Sequence, residues 1–224
     1  MIRLENLTKV FYERGQRKLV ADGISLTFPA GVAVGLLGRN GAGKSSLLRM
    51  ISGTIEPTMG RIVTEGTVSW PVGFAGSFHP DLSGSQNVRF IARVYGIDTD
   101  ALVEFVEDFA ELGVHFHLPF RTYSSGMRSR LAFGLSMGIE FQTYLVDEVT
   151  SVGDAAFRAK SEAVFQERML NSGAIVVSHG MGMLRRNCQA GAVLENGHLT
   201  YFDNIEDAIA QHEQNIGASD PDND

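Results

Sequence analysis

Residues 38–45 read GRNGAGKS, a complete match to the pattern G-x-x-x-x-G-K-[ST]. No other stretch limits the fold of this chain so sharply. The run before it, VAVGLL at 32–37, is short and carries no polar side chain, as in a strand buried on both faces. The run after it, SLLRMIS, is helical in character. A strand, a glycine-rich turn and a helix in that order form the setting in which the pattern has chemical meaning. Gly38, Gly41 and Gly43 let the backbone curl until its N–H groups face inward. The following helix adds the positive end of its dipole. Such a cradle suits a chain of phosphates, with Lys44 as a flexible cation for the outer two and Ser45 offering a hydroxyl to Mg2+. Arg39, Asn40, Ala42 and Ser46 complete the stretch expected to line it.

Farther along, TYLVDEVTSVGD spans 143–154. Leu145 and Val146 are strand-like, and Asp147 and Glu148 emerge at the strand's end. In open α/β sheets ligands bind beyond the carboxyl ends of the strands, so both carboxylates are expected to face the phosphate cradle. Asp147 is the natural partner for Mg2+, and Glu148 is placed to accept a proton from an attacking water. A second short strand, AIVVS, ends at Ser178-His179. His179, on the same expected sheet edge, can hydrogen-bond a terminal phosphate and hold the water near Glu148.

The rest of the chain frames these motifs. IRLENLT alternates apolar and polar residues like a half-buried strand, and LVADGISLTF continues in that style to the turn signal Pro29-Ala30-Gly31. RIVTEGTVSW reads as short strands around Gly66. The middle differs: residues 87–95 and 101–112 carry apolar side chains at helical spacing, with Asp98 or Thr99 placed to cap the second run. Further helices are expected over 125–137, from Asp154 to near Leu170, and over 206–212. Asn196-Gly197 between two apolar runs predicts a hairpin. Strands alternating with helices give an α/β fold. We expect one domain over 1–215, with its core in 1–80 and 140–215, a helical insert over about 80–140, and a disordered acidic tail at 216–224.

The formal net charge is −7, yet seven acids and no Lys or Arg follow Phe202, so residues 1–202 are formally neutral. That balance lacks the basic excess of a nucleic-acid binder, and no nucleic-acid partner is expected. No apolar run approaches the roughly 18 residues of a membrane span. The opening MIRLENLTKVF lacks the order of a secretory leader. The single cysteine, Cys188, excludes an internal disulfide and reads as an inert thiol in a reducing compartment. His115 and His117 are expected at the surface, and Trp70 in a buried structural role.

One stretch fits none of these roles by itself. Residues 123–130 read YSSGMRSR. Ser124 can cap a helix, and the N–H groups of Ser125 and Gly126 at its start suit an anion. Arg128 and Arg130 either form a solvated or ion-paired helix face or turn towards a phosphate. Nothing in the spacing says whose anion is meant.

Taken in order, GRNGAGKSS, YSSGM, YLVDE, SVGD and SH resemble the ATP-binding subunit of ATP-binding-cassette (ABC) transporters over nearly the whole chain. YSSGM stands where that family has its signature, usually written LSGGQ, with Met127 in place of the glutamine and Ser125 in place of the first glycine. The resemblance implies a P-loop NTPase of the ABC ATPase type: a mixed sheet core with an antiparallel β portion and a helical subdomain. It implies ATP and Mg2+ as cofactors, and a head-to-tail homodimer. In that pair Tyr123, Ser124, Ser125, Gly126 and Met127 of one copy close over the ATP held by the other, with Asp154 also at the nucleotide. Phe11 or Tyr12 is expected to stack on the adenine. His79 stands near the place of a glutamine that links Mg2+ to the membrane partner in many members, and is taken as a further metal-site residue.

The resemblance narrows with SWPVGFAG, FIARVYG, TYSSGMRSRLAFGLSM and YLVDEVTSVGDAAF, which are similar to the capsular-polysaccharide export ATP-binding branch. Close relatives there export O-antigen or teichoic acid. That branch implies a polytopic inner-membrane permease as partner, with periplasmic and outer-membrane export proteins engaged indirectly. It also implies a lipid-linked polysaccharide as cargo and a place on the cytoplasmic face of the inner membrane. Soluble relatives acting on DNA or ribosomes usually carry tandem cassettes, long coiled-coil inserts or basic arms, and this sequence shows none of them.

Overall fold

A computed structural model describes residues 1–13, 15–74, 76, 78–147, 154–178 and 180–217. The chain divides into two units, Met1–Pro71 with Phe141–Glu148 and Met169–Asp224, and Val72–Glu140 with Val149–Arg168.

The first unit holds two sheets. In the smaller, β1 (Ile2–Glu13) pairs antiparallel with β2 (Gln16–Phe28) and with β4 (Met59–Thr64). The larger runs β5 (Val68–Pro71), β6 (Thr143–Asp147), β7 (Gly173–Val177), β3 (Ala33–Leu37), β8 (Ala190–Glu195), β9 (His198–Phe202). Its pairings are parallel except for β9, which returns antiparallel beside β8. The β8–β9 turn is Asn196-Gly197, with φ of 49° and 82°, the left-handed pair that a tight hairpin demands. Every residue of β3 and β7 is buried, which explains their unbroken apolar sequences. Leu47, Leu48, Met50 and Ile51 of α1 (Lys44–Ile51) share one core with Ile2, Leu4 and Leu7 of the small sheet and Val34, Leu36 and Ile175 of the large one. The phosphate loop is thus tied at both ends to buried elements.

Register sets the working edge of the large sheet. Asp147 lies opposite Val177, and Gly35 opposite Val176. The ends of β6 and β7 and the start of the glycine-rich loop therefore leave the sheet on the same side. Two helices complete the unit. The short α6 (Met181–Asn187) has no clear periodic signature in sequence. The last helix, α7 (Ile205–Gly217), packs on β8 and β3 and extends past the expected end at 212, through Ile216 and Gly217, the first two residues of the expected tail. Residues 218–224 lie outside the described residues. Cys188 is buried, and burial pushes its thiol up to about 12, so it stays protonated at neutral pH. Trp70 is partly buried and meets Phe141 edge to face, centroids 5.4 Å apart.

The second unit is helical: α2 (Gly84–Tyr95), α3 (Thr99–Ala110), α4 (Ser125–Gly138) and most of α5 (Ala155–Leu170), with short 3-10 turns at Gly113–His117 and Phe120–Thr122. Ser83 accepts a hydrogen bond from the Gln86 N–H at 3.1 Å while Gln86 accepts from the Ser83 N–H at 2.8 Å, a reciprocal cap. Asp98 caps α3, taking the N–H groups of Asp100 and Ala101 at 3.0 Å each. Residues 131–137 of α4 are all buried, so this helix runs through the middle of its unit. Phe109 stands at the centre of the aromatic core, 5.7 Å from Phe133 and 5.3 Å from Phe157 between centroids. His115 and His117 are exposed, and His117 pairs with Glu107 at 3.2 Å. No helix among the described residues is long and apolar enough to cross a membrane.

Candidate functional site

The glycine-rich loop is shaped by two close approaches. Gly38 has φ 150°, and a Cβ there would collide with the Leu194 carbonyl oxygen of β8. Gly43 has φ 108° and lies against the Val20 side chain of β2. No L side chain satisfies both demands at either place. The Gly43 carbonyl accepts the Leu47 N–H at 2.9 Å and starts α1. Lys44 is buried, and its ammonium donates to the carbonyls of Gly38 at 2.6 Å and Arg39 at 3.1 Å. It is therefore held inside the curl of the loop, beside the N–H groups that would meet a phosphate.

A cavity of about 400 Å3 opens over this loop. Asn40, Gly41, Gly43, Lys44, Ser45 and Ser46 form its floor, and Phe11, Lys18 and Val20 of the small sheet form a wall, with Arg49 and Val177 completing it. Of the two aromatic residues near the N-terminus, Phe11 lines the cavity and Tyr12 does not; Tyr12 is 75 % exposed. The Lys9 ammonium lies 4.9 Å from the Phe11 ring centroid and donates to the Glu56 carbonyl, which fixes the ring from one side. Sequence reasoning missed Lys18, Val20, Arg49 and Val177. Two of them have a readable origin: Lys18 is the antiparallel partner of Phe11, and Arg49 lies one turn after Ser45 on α1.

Asp147 is partly buried at the end of β6. Glu148 and His179, the expected base and water-holding residue, lie outside the described residues. His79 belongs to the second unit, where its backbone N–H donates to Asn87 at 2.8 Å and its Nδ1 accepts the Asp81 N–H at 3.3 Å.

The signature stretch is divided. Ser124, Ser125 and Gly126 are exposed at the start of α4, and Ser124 accepts the Met127 N–H at 3.3 Å. Among the described residues, a Cβ on Gly126 would meet the Ser124 hydroxyl at 4.0 Å and nothing nearer. Tyr123, by contrast, gives its side chain to the core: it is 4 % exposed and packs on Phe120 and Gly84. Its side chain is thus part of the core of its unit. Both arginines are occupied within the unit. Arg130 pairs with Asp154 at 2.9 Å and covers the Phe157 ring, and Arg128 donates to the Arg121 carbonyl and lies over Phe120. The Asp154 carboxylate also accepts the Phe157 N–H at 2.9 Å. That bond and the Arg130 charge hold its carboxyl below the usual range. Asp154 thus caps α5 and closes an ion pair with Arg130.

The sequence matches the ABC transporter family over residues 21–151. The chain belongs to that family. This ABC cassette is 46 % identical over 215 residues to the polysialic acid transport ATP-binding protein KpsT of Escherichia coli, covering 95 % of the chain and 96 % of that relative. It is 42 % identical over 208 residues to the capsule polysaccharide export ATP-binding protein CtrD of Neisseria meningitidis, covering 93 % and 96 %. Among solved structures, a dimeric post-hydrolysis state of the ATP-binding cassette MJ0796 bound to ADP and Pi aligns with a TM-score of 0.76 over 92 % of this chain and 99 % of that one, at 18 % identity. The expected fold class, an α/β P-loop NTPase of the ABC ATPase type, is the one observed, and the cassette is an ATPase of that family.

Proposed function

We propose that the cassette is the ATP-hydrolysing subunit that powers export of capsular polysaccharide through an inner-membrane permease. One observation carries the reading: the likeness to the two named export ATP-binding proteins runs through nearly all of this chain and nearly all of theirs. The site chemistry agrees with it. The cavity wall at Phe11 offers a flat apolar face to a nucleobase, and the loop below offers inward N–H groups to the phosphates. On binding, the Lys44 ammonium exchanges the Gly38 and Arg39 carbonyls for outer phosphate oxygens. Ser45 and Asp147 would hold Mg2+, since a hydroxyl and a carboxylate are the hard oxygen donors this ion takes alongside water and phosphate. The ion would neutralise charge on the transferred phosphoryl group.

In the proposed step, Glu148 takes a proton from a water oriented by His179. The water oxygen forms a bond to the γ-phosphorus as the bond to the bridging oxygen breaks, and ADP leaves with that electron pair. The partner copy's exposed α4 terminus, at Ser125 and Gly126, would supply the remaining positive field to the nucleotide. Two ATP molecules would then bridge two cassettes, and their closure would drive the permease at the cytoplasmic face of the inner membrane.

Two variants test this. Glu148→Gln is expected to bind ATP, form a stable pair and hydrolyse at least about 100-fold more slowly; wild-type turnover would remove Glu148 as the base. Lys44→Ala in the source cell is expected to abolish surface polysaccharide. Unchanged surface sugar would break the capsule assignment and leave the ATPase chemistry standing.

A further inference from the structure

The wall of the nucleotide cavity carries a cation that none of the sequence motifs accounts for. β1 and β2 pair Lys9 with Ala21 and Val10 with Leu19, which leaves Val20 as the extra residue of a bulge. The bulged residue rests on the phosphate loop, since a Cβ on Gly43 would meet the Val20 side chain. The next pair along the strands is Phe11 opposite Lys18, and both residues line the cavity. Residues directly opposed in an antiparallel pair hold their Cβ atoms about 5 Å apart. The Lys18 stem therefore starts beside the Phe11 ring. Along β2 it stands two residues beyond Val20, about 6.5 Å farther from the loop, a span that a flexible four-carbon stem can cover in reverse.

The two lysines flanking Phe11 differ in what they already hold. The Lys9 ammonium lies 4.9 Å from the Phe11 centroid and donates to the Glu56 carbonyl at 2.6 Å, so it is engaged within the sheet. Lys18 is exposed, and among the described residues its ammonium makes no hydrogen bond or ion pair. The described residues that line the cavity include no Asp or Glu to pair with it, and its fellow cations there, Lys44 and Arg49, both belong to α1. Lys18 is thus the cation of the wall, placed between the ring and the loop with its charge unmatched.

We propose that Lys18 binds the nucleotide through its α-phosphate. The inference rests on the nucleotide reading of the cavity and adds to it a contact that no motif of the chain announces. In that reading Lys44 and Mg2+ offset the charge of the outer phosphates. The α-phosphate joins those groups to the sugar and keeps a negative charge of its own. With the base on Phe11 and the outer phosphates on the loop, it falls within the span the Lys18 stem covers. The base edge is the weaker partner: adenine presents N7 beside a donor amino group, whereas the phosphate presents charged acceptor oxygens. Lys18 then pins the middle of the ligand while Phe11 and the loop hold its ends.

The test is calorimetric titration of MgADP into the wild type, Lys18→Met and Lys18→Arg, methionine keeping an apolar stem without the charge. Lys18→Met should weaken binding about tenfold, and Lys18→Arg should stay within about threefold of the wild type. The wild type should bind the magnesium complex of tubercidin diphosphate, the ADP analogue with carbon in place of N7, as tightly as MgADP. Without nucleotide both variants should keep the wild-type urea midpoint, because Lys18 is exposed. Wild-type affinity in Lys18→Met, or an equal loss in both variants, overturns the inference. So does a tenfold loss for the tubercidin nucleotide in the wild type, which would move the contact to the base edge. Failure of the wild type to bind MgADP at all removes the nucleotide reading and the inference with it.

Discussion

At the phosphate loop the chain itself demands glycine: Gly43 has φ 108° and presses on Val20, and Gly38 presses on the backbone of β8. At the start of α4 it does not. Gly126 is helical, and among the described residues the space where its side chain would stand holds nothing nearer than the Ser124 hydroxyl at 4.0 Å. The first pair of glycines is explained by folding. Gly126 is not explained by contacts among the described residues, and a phosphate chain carried by another copy is the reason the proposed function supplies. The phosphate loop is therefore built and braced within the chain, while the start of α4 is an exposed helix terminus.

Parallel substitutions at the two places can break this contrast. Gly126→Asp should lower ATP hydrolysis by about 100-fold, since it sets a carboxylate where a phosphate is to bind. Its thermal midpoint should stay within a degree or so of wild type, because no described residue comes within 4.0 Å of where the side chain would begin except the Ser124 hydroxyl. A sharp loss of stability would mean that Gly126 is a folding residue after all. Gly43→Ala should do the reverse in kind, destabilising the fold by about 1–3 kcal/mol through strain at positive φ, read by urea denaturation. A smaller effect tests the frame around the exposed terminus. Ser83→Ala removes the reciprocal cap of α2 and should cost about 1 kcal/mol, seen as a lower denaturation midpoint with an unchanged slope.

The smallest expected effect belongs to the braced half. His212 titrates below its ordinary value in the folded chain, so the folded state binds fewer protons than the unfolded state. Its contribution to stability is complete above the ordinary histidine value of about 6.5 and is lost as pH falls from there through the folded value. Chemical denaturation between pH 5 and 7.5 should show that slope in the wild type and a flatter one in His212→Asn. Equal slopes would mean that the imidazole is not buried in its neutral form.

What the sequence revealed divides along the same line. The glycine-rich loop, the Asn196-Gly197 hairpin and the Asp98 cap are local: backbone geometry over a few residues dictates the residue types, so those types announce the geometry. α4 was locatable by its Ser124 cap, but its buried run from 131 to 137 has no periodic face, so its central place in its unit was not legible. α6, with two glycines beside it or within it, gave no helical signal at all. The cavity wall depends on register, which brings Lys18 opposite Phe11 and could be drawn only once β1 and β2 were aligned. Within YSSGM the chain uses Tyr123 for core packing and the next residues at the surface, a division the sequence does not announce. The burial of His212 is the least legible, because it exists only where α7 packs on β3 and β8.

The central claim is that the outward half-site acts on a nucleotide held by a second copy. The most direct measurement is specific ATPase activity over a wide dilution series, with molecular mass determined at each concentration during turnover. The account predicts that activity per chain falls as pairs separate and that the monomer binds ATP without cleaving it. Activity that stays constant in a species shown to be monomeric throughout turnover would contradict it.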